Sequence, residues 1–445
     1  MTASSVAIIG SGISGLSAAW LLSKSRQVTL FEKSPRVGGH TNTVIAPTPE
    51  GPVSVDTGFI VYNEKNYPNL TALFDYLGVK TAPSFMSFAV SIDQGRMEYS
   101  GEHLNGLFGQ RRNIIRREHW TLVGDILRFF REAERQVAGC PIGMSIGEFL
   151  EQHNYSRAFI EDHILPISAA IWSTPSRGML AFPAHTFISF FANHALLQYA
   201  TKPKWRTVHS GAQSYVDALL ADSRFTTVTN STITNVRRHA QGAEIYFADG
   251  SHQHFDEVVF ACHADQALAL IADPTEAERR VLSAFRYTPN KAILHTDKSF
   301  MPKRRHLWSA WNYLRGPGDN EALSLSYWMN KLQPLPTKTN LFVTLNPHRE
   351  VAENSVLYEV DYEHPLFDAK AVDTQRDLWQ IQGVNKTWFA GAWMGHGFHE
   401  DGLQAGLEVA ERIAPGQRRP WSHPEQRYRI AHNWADGDQR VWAAE

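Results

Sequence analysis

The chain has 445 residues, more than one ordinary hydrophobic core supports, and its length therefore predicts two packed domains. A net charge of −2 with 43% hydrophobic and 20% charged residues is typical of a globular protein and gives no reason to expect nucleic acid as a partner. The two cysteines, Cys140 and Cys262, lie far apart, so the sequence predicts neither a redox dithiol nor a metal site.

The first 33 residues have the pattern of a strand, a helix and a second strand, at 5–10, 13–25 and 27–33. Gly10-Ser11-Gly12-Ile13-Ser14-Gly15 forms G-x-G-x-x-G between the first strand and the helix. The first glycine permits a tight turn, the second lets backbone approach a pyrophosphate, and the third lets the helix pack on the strand. The helix N-terminus then faces the anion.

Two further features extend this dinucleotide pattern. Glu32 ends the second strand 17 residues after Gly15, where a carboxylate accepts hydrogen bonds from ribose hydroxyls. Arg36 precedes Gly38-Gly39, and a cation beside a second glycine pair suits the longer dinucleotide FAD better than NAD. The alternatives are a glycine-rich turn with a surface glutamate and a Gly-Gly turn with a solvated arginine. We therefore predict FAD as the cofactor.

The rest of the chain alternates helical and strand patterns. In chain order, the sequence predicts helices at 66–79 and 120–138, broken helical patterns over 146–200, strands over 225–262 and about 288–362, a strand at 387–393 and an amphipathic helix at 402–414. Asp249-Gly250 predicts a hairpin. No basic leader segment precedes the first strand and no apolar run reaches about eighteen residues, which predicts a soluble, cytoplasmic protein.

Residues 111–120, "RRNIIRREHW", concentrate four arginines with isoleucine and tryptophan ahead of an amphipathic helix. A basic amphipathic segment of this kind can dock on anionic lipid, and peripheral membrane contact is therefore an expectation. The alternative is an ordinary solvated helix face.

These motifs, with "VDTGFIVY" (55–62) and "WFAGAWMGHGFHEDGLQAGLEVAERI" (388–413), resemble the flavin-containing amine oxidase and phytoene desaturase superfamily. "VHSGAQSYVDALL" and "TITNV" are similar to its glycine turn and its adenine-facing strand. The resemblance implies an α/β fold, with an FAD-binding Rossmann-type domain of the p-hydroxybenzoate-hydroxylase and amine-oxidase type and an interleaved α+β substrate domain. His40 and Asp401-Gly402 depart from the residues that many members have there.

Carried over residue by residue, the resemblance implies a set of FAD contacts. They are Gly10, Gly12, Ile13, Ser14, Gly15, Glu32, Lys33, Arg36, Gly38, Gly39, His40, Thr57, Gly58, Ile233, Gly391, Ala392, Asp401, Gly402 and Leu403. Gly391 would lie against the flavin, and the helix at 402–414 would direct the positive end of its dipole at the pyrimidine carbonyls, which favours reduced flavin.

A closer resemblance is carried by "GGHTNTV", "DTGFIVYNEKNYPNL", "FFANHALLQ" and "LHTDKSFMP" with "LWSAWNY". These segments look like bacterial flavoproteins that are often encoded beside cyclopropane-fatty-acid-synthase-like methyltransferases. The resemblance implies a lipid acyl chain as substrate and a methyltransferase as a possible partner.

The candidate catalytic residues are Lys291, Phe398, Trp393 and His396. Lys291 falls where amine oxidases hold a lysine that reaches flavin N5 through water, and its alternative is a solvated strand-edge lysine. Phe398 falls where amine oxidases place a tyrosine facing the flavin, with Trp393 nearby, and an aromatic wall is the alternative. His396 is a possible donor or proton relay; His396 and His399 lack a third ligand motif, so no metal is predicted.

The expected reaction is hydride transfer from a substrate C–H to flavin N5. We expect an FAD domain from 1–90, 203–285 and 375–415, a substrate domain from 91–202 and 286–374, and a tail at 416–445 without a predicted role. The leading function is an FAD-dependent desaturase, dehydrogenase or oxidase of a hydrophobic acyl chain. The alternatives are an amine or polyamine oxidase that releases hydrogen peroxide, and an FAD-containing partner protein of a lipid methyltransferase.

Overall fold

The computed structural model describes residues 4–422, apart from 103, 142, 173–175, 195, 198–202 and 317–323. Most of the tail predicted at 416–445 therefore lies outside the described residues.

The strands of the described residues are β1 (Ser5–Ile9), β2 (Gln27–Phe31), β3 (Thr43–Ala46), β4 (Val53–Asp56), β5 (Tyr62–Asn63), β6 (Thr81–Pro83), β7 (Phe88–Ile92), β8 (Met97–Ser100), β9 (Trp205–Val208), β10 (Thr226–Val228), β11 (Ile233–His239), β12 (Gly242–Phe247), β13 (His252–Phe255), β14 (Glu257–Phe260), β15 (Arg286–His295), β16 (Trp311–Arg315), β17 (Ser324–Trp328), β18 (Phe342–Leu345), β19 (Val356–Leu366) and β20 (Thr387–Phe389).

The α-helices are α1 (Ile13–Leu22), α2 (Pro68–Leu77), α3 (Leu104–Leu107), α4 (Arg117–Ala138), α5 (Ile146–Gln152), α6 (Arg157–Phe159), α7 (Leu165–Trp172), α8 (Ala184–Asn193), α9 (Gln213–Ala221), α10 (Ala264–Leu270), α11 (Glu276–Leu282), α12 (Met329–Leu332), α13 (Ala369–Thr374) and α14 (His399–Ile413). In the described parts of the chain, none of these helices is long and apolar enough to span a bilayer.

A five-stranded parallel sheet is the centre of one structural half of the molecule, which we call the first half although its strands come from both ends of the chain. The strand order is β10-β2-β1-β14-β20. Helix α1 follows β1, and all ten of its residues are buried, because the sheet lies on one side and α14 packs on the other. Parallel strands with both faces covered read as continuous apolar runs, as "VAII" does in β1. The predicted α/β fold with a Rossmann-type parallel sheet is confirmed.

A seven-stranded sheet forms the second half, in the order β19-β15-β18-β17-β16-β7-β8. The chain visits this sheet twice, first with β7 and β8 and later with β15 to β19, so the second half is interleaved with the first. The sheet begins at Phe88, just before the predicted domain boundary at 90/91. Its buried face shares a hydrophobic core with α4, α5, α7 and α8.

The element boundaries show which signals the sequence carries. The hairpin at Asp249-Gly250 is confirmed by the antiparallel pairing of β12 with β13. The strand predicted at 387–393 ends at Phe389 and is followed by a 3-10 turn at Ala392–Met394. The helix predicted at 402–414 begins earlier, at His399, because the Asp401 carboxylate accepts hydrogen bonds from the backbone N–H of Phe398 (2.8 Å) just before its first turn.

The C-terminal residues up to 422 pack against the first half. The Arg419 guanidinium forms an ion pair with the Glu411 carboxylate at 2.8 Å, and the Trp421 ring stacks on Trp20 at 5.9 Å between centroids. The adjacent Glu400 carboxylate accepts hydrogen bonds from the backbone N–H groups of Asn69 and Leu70, both at 2.9 Å, and so caps the N-terminus of α2. Glu400 is thus a structural residue.

Candidate active site

One cavity of about 1190 Å³ runs between the two halves of the described chain. At one end it is bounded by the turn that joins β1 to α1. A Cβ added to Gly15 would lie 1.9 Å from the Gly10 carbonyl oxygen, whereas one added to Gly12 would meet no atom within 4 Å. The third glycine of the motif therefore packs the helix on the strand, behind the cavity wall, and the second leaves space at the N-terminus of α1, where N–H groups are unpaired.

Glu32 lies beside this helix terminus and lines the cavity. One carboxylate oxygen accepts hydrogen bonds from the Ser11 N–H (3.0 Å) and hydroxyl (2.6 Å), and the other accepts one from the Ser34 N–H (2.8 Å). These bonds fix the orientation of the carboxylate before any ligand binds. Lys33 and Ile233 line the same end of the cavity.

Arg36 braces the loop that carries the second glycine pair. Its guanidinium donates to the carbonyl oxygens of Thr41 (2.9 Å) and Gly39 (2.7 Å), and a Cβ on Gly39 would lie 2.9 Å from the Gly12 Cα. Arg36 and Gly39 line the cavity, whereas Gly38 lies behind it with a φ of +120°. The arginine therefore holds two glycine turns together as well as bringing a positive charge to the site.

Three aromatic side chains form a cluster at the middle of the cavity: His40, Tyr362 and His364. The His40 ring stacks on Tyr362 at 5.0 Å and lies 5.3 Å from His364. Burial, and then the charge of neighbouring His364, holds the pKa of His40 well below its ordinary value, and burial lowers the pKa of His364 to about 4. Both rings are therefore neutral at physiological pH.

The cluster leaves two buried atoms for a ligand. Among the described residues, His40 Nε2 and His364 Nδ1 have no hydrogen-bond partner. Buried polar atoms are nearly always paired in folded proteins, so two unpaired nitrogens on one cavity wall indicate a polar ligand there. The sequence reasoning missed Tyr362 and His364. Their signal is the alternation of Tyr358, Val360, Tyr362 and His364 along β19, since alternate residues of a strand share a face.

Thr57 and Gly58 line the cavity next to this cluster. The Thr57 hydroxyl shares a hydrogen bond of 2.9 Å with the Tyr362 hydroxyl. A Cβ on Gly58 would lie 2.1 Å from the His40 carbonyl oxygen, so no larger residue fits without a backbone shift. These contacts tie the loop after β4 to the histidine cluster.

The segment between β20 and α14 forms the opposite wall. Gly391, Ala392, Trp393, His396 and Phe398 all line the cavity. The Trp393 indole N–H donates to the Cys262 carbonyl oxygen at 3.3 Å, and the ring lies 4.7 Å from Phe285. This bonding makes Trp393 a wall residue.

Asp401, Gly402 and Leu403 do not line the cavity and instead position α14, which differs from the predicted FAD contacts. The Asp401 carboxylate also accepts from the His396 N–H at 3.1 Å. A Cβ on Gly402 would lie 2.8 Å from Ile13 Cγ2, and Leu403 is fully buried, so both residues bring α14 against α1.

His399 is held by packing. Its ring stacks on Phe59 with 3.8 Å between centroids, and its Nε2 lies 2.7 Å from the Tyr215 hydroxyl oxygen. Burial lowers the pKa of His399 to about 3, which keeps the imidazole neutral. Among the described residues no group of three or more His, Cys, Asp or Glu side chains could hold a metal ion.

Lys291 does not reach the cavity, and the predicted contact with flavin N5 is wrong. The lysine lies on β15, its side chain is 48% exposed, and its Nζ lies 3.2 Å from a carboxylate oxygen of Glu359 on β19. Successive residues of a strand point to opposite faces, and here Asn290 and Ala292 are buried while Lys291 faces solvent. The solvated strand lysine, which the sequence left open, is what the structure has.

The far end of the cavity is an apolar chamber, defined by Phe88, Phe130, Ile167, Ile171, Trp172 and Phe190. Phe190 connects it with the C-terminal wall, because its ring stacks on Phe398 at 5.3 Å and lies 4.7 Å from Trp172. Phe398 is therefore the residue of the C-terminal wall that contacts the chamber. It has no hydroxyl and acts as a wall.

The sequence model of the flavin containing amine oxidoreductase family matches residues 13–414. The chain belongs to this family. Its cofactor is accordingly FAD, and the chain is a flavin-dependent oxidoreductase. None of the curated proteins matches it by sequence.

Solved structures with the same fold are distant in sequence. The CLA-producing fatty acid isomerase from P. acnes has a TM-score of 0.66 and 16% identity over 92% of this chain and 99% of its own. Cyclohexylamine oxidase from Brevibacterium oxydans IH-35A has a TM-score of 0.66 and 15% identity over 93% and 99%. Wild-type putrescine oxidase bound to putrescine also has a TM-score of 0.66 and 15% identity over 93% and 99%. Identities this low show the fold alone.

The residues present fit FAD. The open space at Gly12 and the N-terminus of α1 would take its pyrophosphate, the Glu32 carboxylate would hold a ribose, and the unpaired nitrogens of His40 and His364 would take hydrogen bonds from its polar atoms. Bound FAD supplies the hydride acceptor. The chain positions the cofactor, excludes water from it and places two neutral imidazoles beside it.

Proposed function

We propose that this chain oxidises a hydrophobic acyl chain, as a desaturase, dehydrogenase or oxidase. The observation that carries the proposal is the apolar chamber, whose walls are mainly phenylalanine, isoleucine and tryptophan side chains, with the ring of His194 stacked on Phe190 at 3.9 Å. Such walls stabilise a ligand by about 25 cal/mol for each Å² of apolar surface removed from water. An oxidation of this kind takes a hydride and a proton from two neighbouring carbons and leaves a double bond, and oxygen or another acceptor then reoxidises the cofactor.

The acidic residues of the cavity support this choice over an amine. Four described carboxylates line it, at Glu32, Glu102, Asp361 and Glu363. Glu32 belongs to the cofactor end, Glu102 lies 3.7 Å from Lys331 Nζ, and Glu363 lies 3.4 Å from His263 Nδ1. Asp361 is exposed on β19. A cationic amine would therefore compete with Lys331 for Glu102 or with His263 for Glu363, and Asp361 offers only a solvated carboxylate.

The structural neighbours do not choose between the two substrates. The P. acnes enzyme is a fatty acid isomerase and the putrescine oxidase binds putrescine, yet both have the same TM-score with this chain. Because function resides in sites and not in folds, the chamber residues carry the argument.

The test is anaerobic stopped-flow reduction of the flavin with matched panels of phospholipids, free fatty acids and amines. The fatty acids include saturated, unsaturated, methyl-branched and cyclopropanated chains, and the amines include putrescine and cyclohexylamine. We expect bleaching of the flavin by one or more acyl chains and none by amines. Rapid bleaching by an amine with no response to any lipid would replace the proposal by its rival, the amine oxidase.

The third function left open by the sequence is an FAD-containing partner of a lipid methyltransferase. It predicts that bound flavin resists reduction by every member of both panels and that the protein co-purifies with the methyltransferase. Bleaching by any substrate removes that reading.

A further inference from the structure

An exposed apolar surface lies outside the cavity, on residues 111–127, which we call the interfacial surface. Nine large hydrophobic side chains are exposed among the described residues, and four of them lie here: Ile114 (47%), Ile115 (87%), Trp120 (53%) and Leu127 (43%). Single exposed apolar residues are ordinary, but a cluster of this kind marks an interaction site.

The four side chains lie close together along the chain, and one hydrogen bond joins the two elements that carry them. The Trp120 indole N–H donates to the Ile114 carbonyl oxygen at 2.7 Å, which fixes the 3-10 turn at Arg111–Ile115 against the first turn of α4. Trp120 and Leu127 are seven residues apart on α4 and so lie on the same face, two turns from each other. Gly124, between them, is exposed and leaves the face flat.

The same surface carries excess positive charge. Arg111, Arg112 and Arg117 are exposed and Arg116 is half-buried, against one exposed acid, Glu118, within 111–127. The other acid of the segment, Asp125, is buried and pairs with Arg128 at 2.8 Å. Arg112 donates to the carbonyl oxygen of Gly95 at 3.2 Å and Arg116 to that of Arg96 at 3.3 Å. These bonds go to neutral carbonyl groups, so the charge of Arg112 is offset only by a more distant carboxylate, Glu98.

The neighbouring segments bring two more arginines but no net charge. Arg96 and Arg304 flank the arginines, each with a carboxylate partner, Asp93 at 2.8 Å and Glu98 at 2.6 Å respectively. Desolvation, and then repulsion by Arg116, Arg304 and Arg96, lowers the pKa of Arg112. The arginines are therefore close enough to repel one another, and an anionic partner would relieve that repulsion.

We infer that the interfacial surface docks on an anionic lipid bilayer, with Ile115 and Trp120 in the headgroup region and the arginines on lipid phosphates. This pairing of exposed aliphatic and indole groups with arginines is complementary to such a surface, which offers apolar depth and negative charge together. A nucleic acid would contact the arginines and gain nothing from Ile115.

The docked face adjoins the cavity. Helix α4 carries Trp120 and Leu127 on its exposed face and contributes Phe130 to the apolar chamber. His119 Nε2 lies 2.8 Å from the carbonyl oxygen of Leu107, which also lines the cavity. A lipid at the surface would thus lie beside the elements that build the chamber. The inference goes beyond the proposed function and does not depend on it, since binding is measured without turnover.

The test is co-sedimentation of the full-length holoprotein with vesicles of phosphatidylcholine alone and of phosphatidylcholine mixed with phosphatidylglycerol. We expect binding to the mixed vesicles that weakens with added salt, and little binding to phosphatidylcholine alone. Replacing three arginines (Arg111→Ser, Arg112→Ser and Arg117→Ser) should reduce partitioning about a hundredfold, at about fivefold per arginine. The control removes three exposed lysines elsewhere, Lys80, Lys298 and Lys370, and so makes the same change in net charge.

A second variant separates insertion from charge. Ile114→Ser with Ile115→Ser should reduce partitioning about tenfold or more, whereas Ile45→Ser with Phe85→Ser, which are 62% and 60% exposed, should leave it unchanged. Because Ile115 is almost fully exposed, its replacement leaves the core intact, and flavin content confirms folding. No binding to mixed vesicles at low salt would overturn the inference, as would losses equal to those of the controls. Loss in the arginine variant alone would overturn the insertion of Ile115 and Trp120 and leave only electrostatic adsorption to an anionic surface.

Discussion

The two ends of the cavity are built from different material. At the cofactor end the walls are largely backbone: there is open space beside Gly12, whereas backbone packs so closely against Gly15 that no side chain fits there. The polar groups are fixed by hydrogen bonds such as those of Glu32 with Ser11. At the chamber end the walls are side chains from α4, α7 and α8. A backbone wall tolerates almost no substitution, whereas a side-chain wall changes its shape residue by residue. The comparison indicates that the cofactor is held by the fold, whereas the proposed substrate would be selected by replaceable side chains.

The largest expected effect is on protein stability, and it distinguishes Gly15 from Gly12 within one motif. Gly15→Val should destabilise the protein on the order of 4–5 kcal/mol, because its side chain would overlap the Gly10 carbonyl. Gly12→Val should fold, because its side chain enters open space, but should not retain FAD. Circular dichroism melts measure the stability of each variant, and flavin absorbance measures how much FAD it retains. Equal melting temperatures for both variants would contradict this division.

The second effect concerns Asp56, which joins the two halves. Its carboxylate accepts from the Ala212 N–H (2.9 Å) on one side and from the Gln333 amide (2.8 Å) on the other. Burial raises the pKa of Asp56 to about 7, above that of an unfolded aspartate. The protonated carboxyl therefore stabilises the fold at low pH, and up to about 4 kcal/mol is lost as pH rises through 7, at about 1.4 kcal/mol per pKa unit.

We expect the melting temperature of the wild type to fall from about pH 5 to about pH 8 and that of Asp56→Asn to fall less. The exposed Asp361→Asn is the control and should keep the wild-type slope. A wild-type melting temperature that rises over this range would show that Asp56 is ionised in the folded protein.

The third effect tests the cofactor end alone. Glu32→Ala removes a carboxylate that would hold the ribose, and charge-assisted hydrogen bonds of this kind contribute about 1.5–3 kcal/mol each. FAD affinity should fall at least tenfold, as measured by titration of the apoprotein, with no change in substrate preference. An unaltered affinity for FAD would show that Glu32 does not bind the cofactor.

The sequence predicted the first region far better than the second, for a physical reason. A pyrophosphate requires a glycine turn and a helix terminus at fixed spacing, so Gly10 to Gly15 and Glu32 are readable from local sequence. The chamber requires only apolar volume, which Phe130 and Ile167 supply from elements far apart in the chain. Tyr362 and His364 were missed because β19 reaches the cavity only through sheet pairing with β15.

Lys291 shows the limit of carrying a residue over by position. The neighbouring strand register leaves it on the outer face, where it pairs with Glu359. A partly exposed ion pair contributes about 0–1 kcal/mol, so Lys291→Met should change stability by less than that. Flavin reoxidation, followed by stopped-flow absorbance, should keep its wild-type rate within about twofold, since surface substitutions change free energies by about 0.5 kcal/mol or less. A large change in that rate would return Lys291 to the site.

The central claim is that the chamber selects the substrate independently of the cofactor end. The most direct test is Ile167→Trp, which fills the chamber, compared with Leu357→Trp on β19, outside the cavity lining. Flavin content and the rate of anaerobic flavin reduction by an active acyl chain are measured on the same preparations. We expect full FAD content in both variants and at least about a fivefold lower reduction rate in Ile167→Trp alone, since an overfilled site costs about 1–3 kcal/mol. Reduction at the wild-type rate in Ile167→Trp, with FAD still bound, would contradict the assignment of the chamber to the substrate.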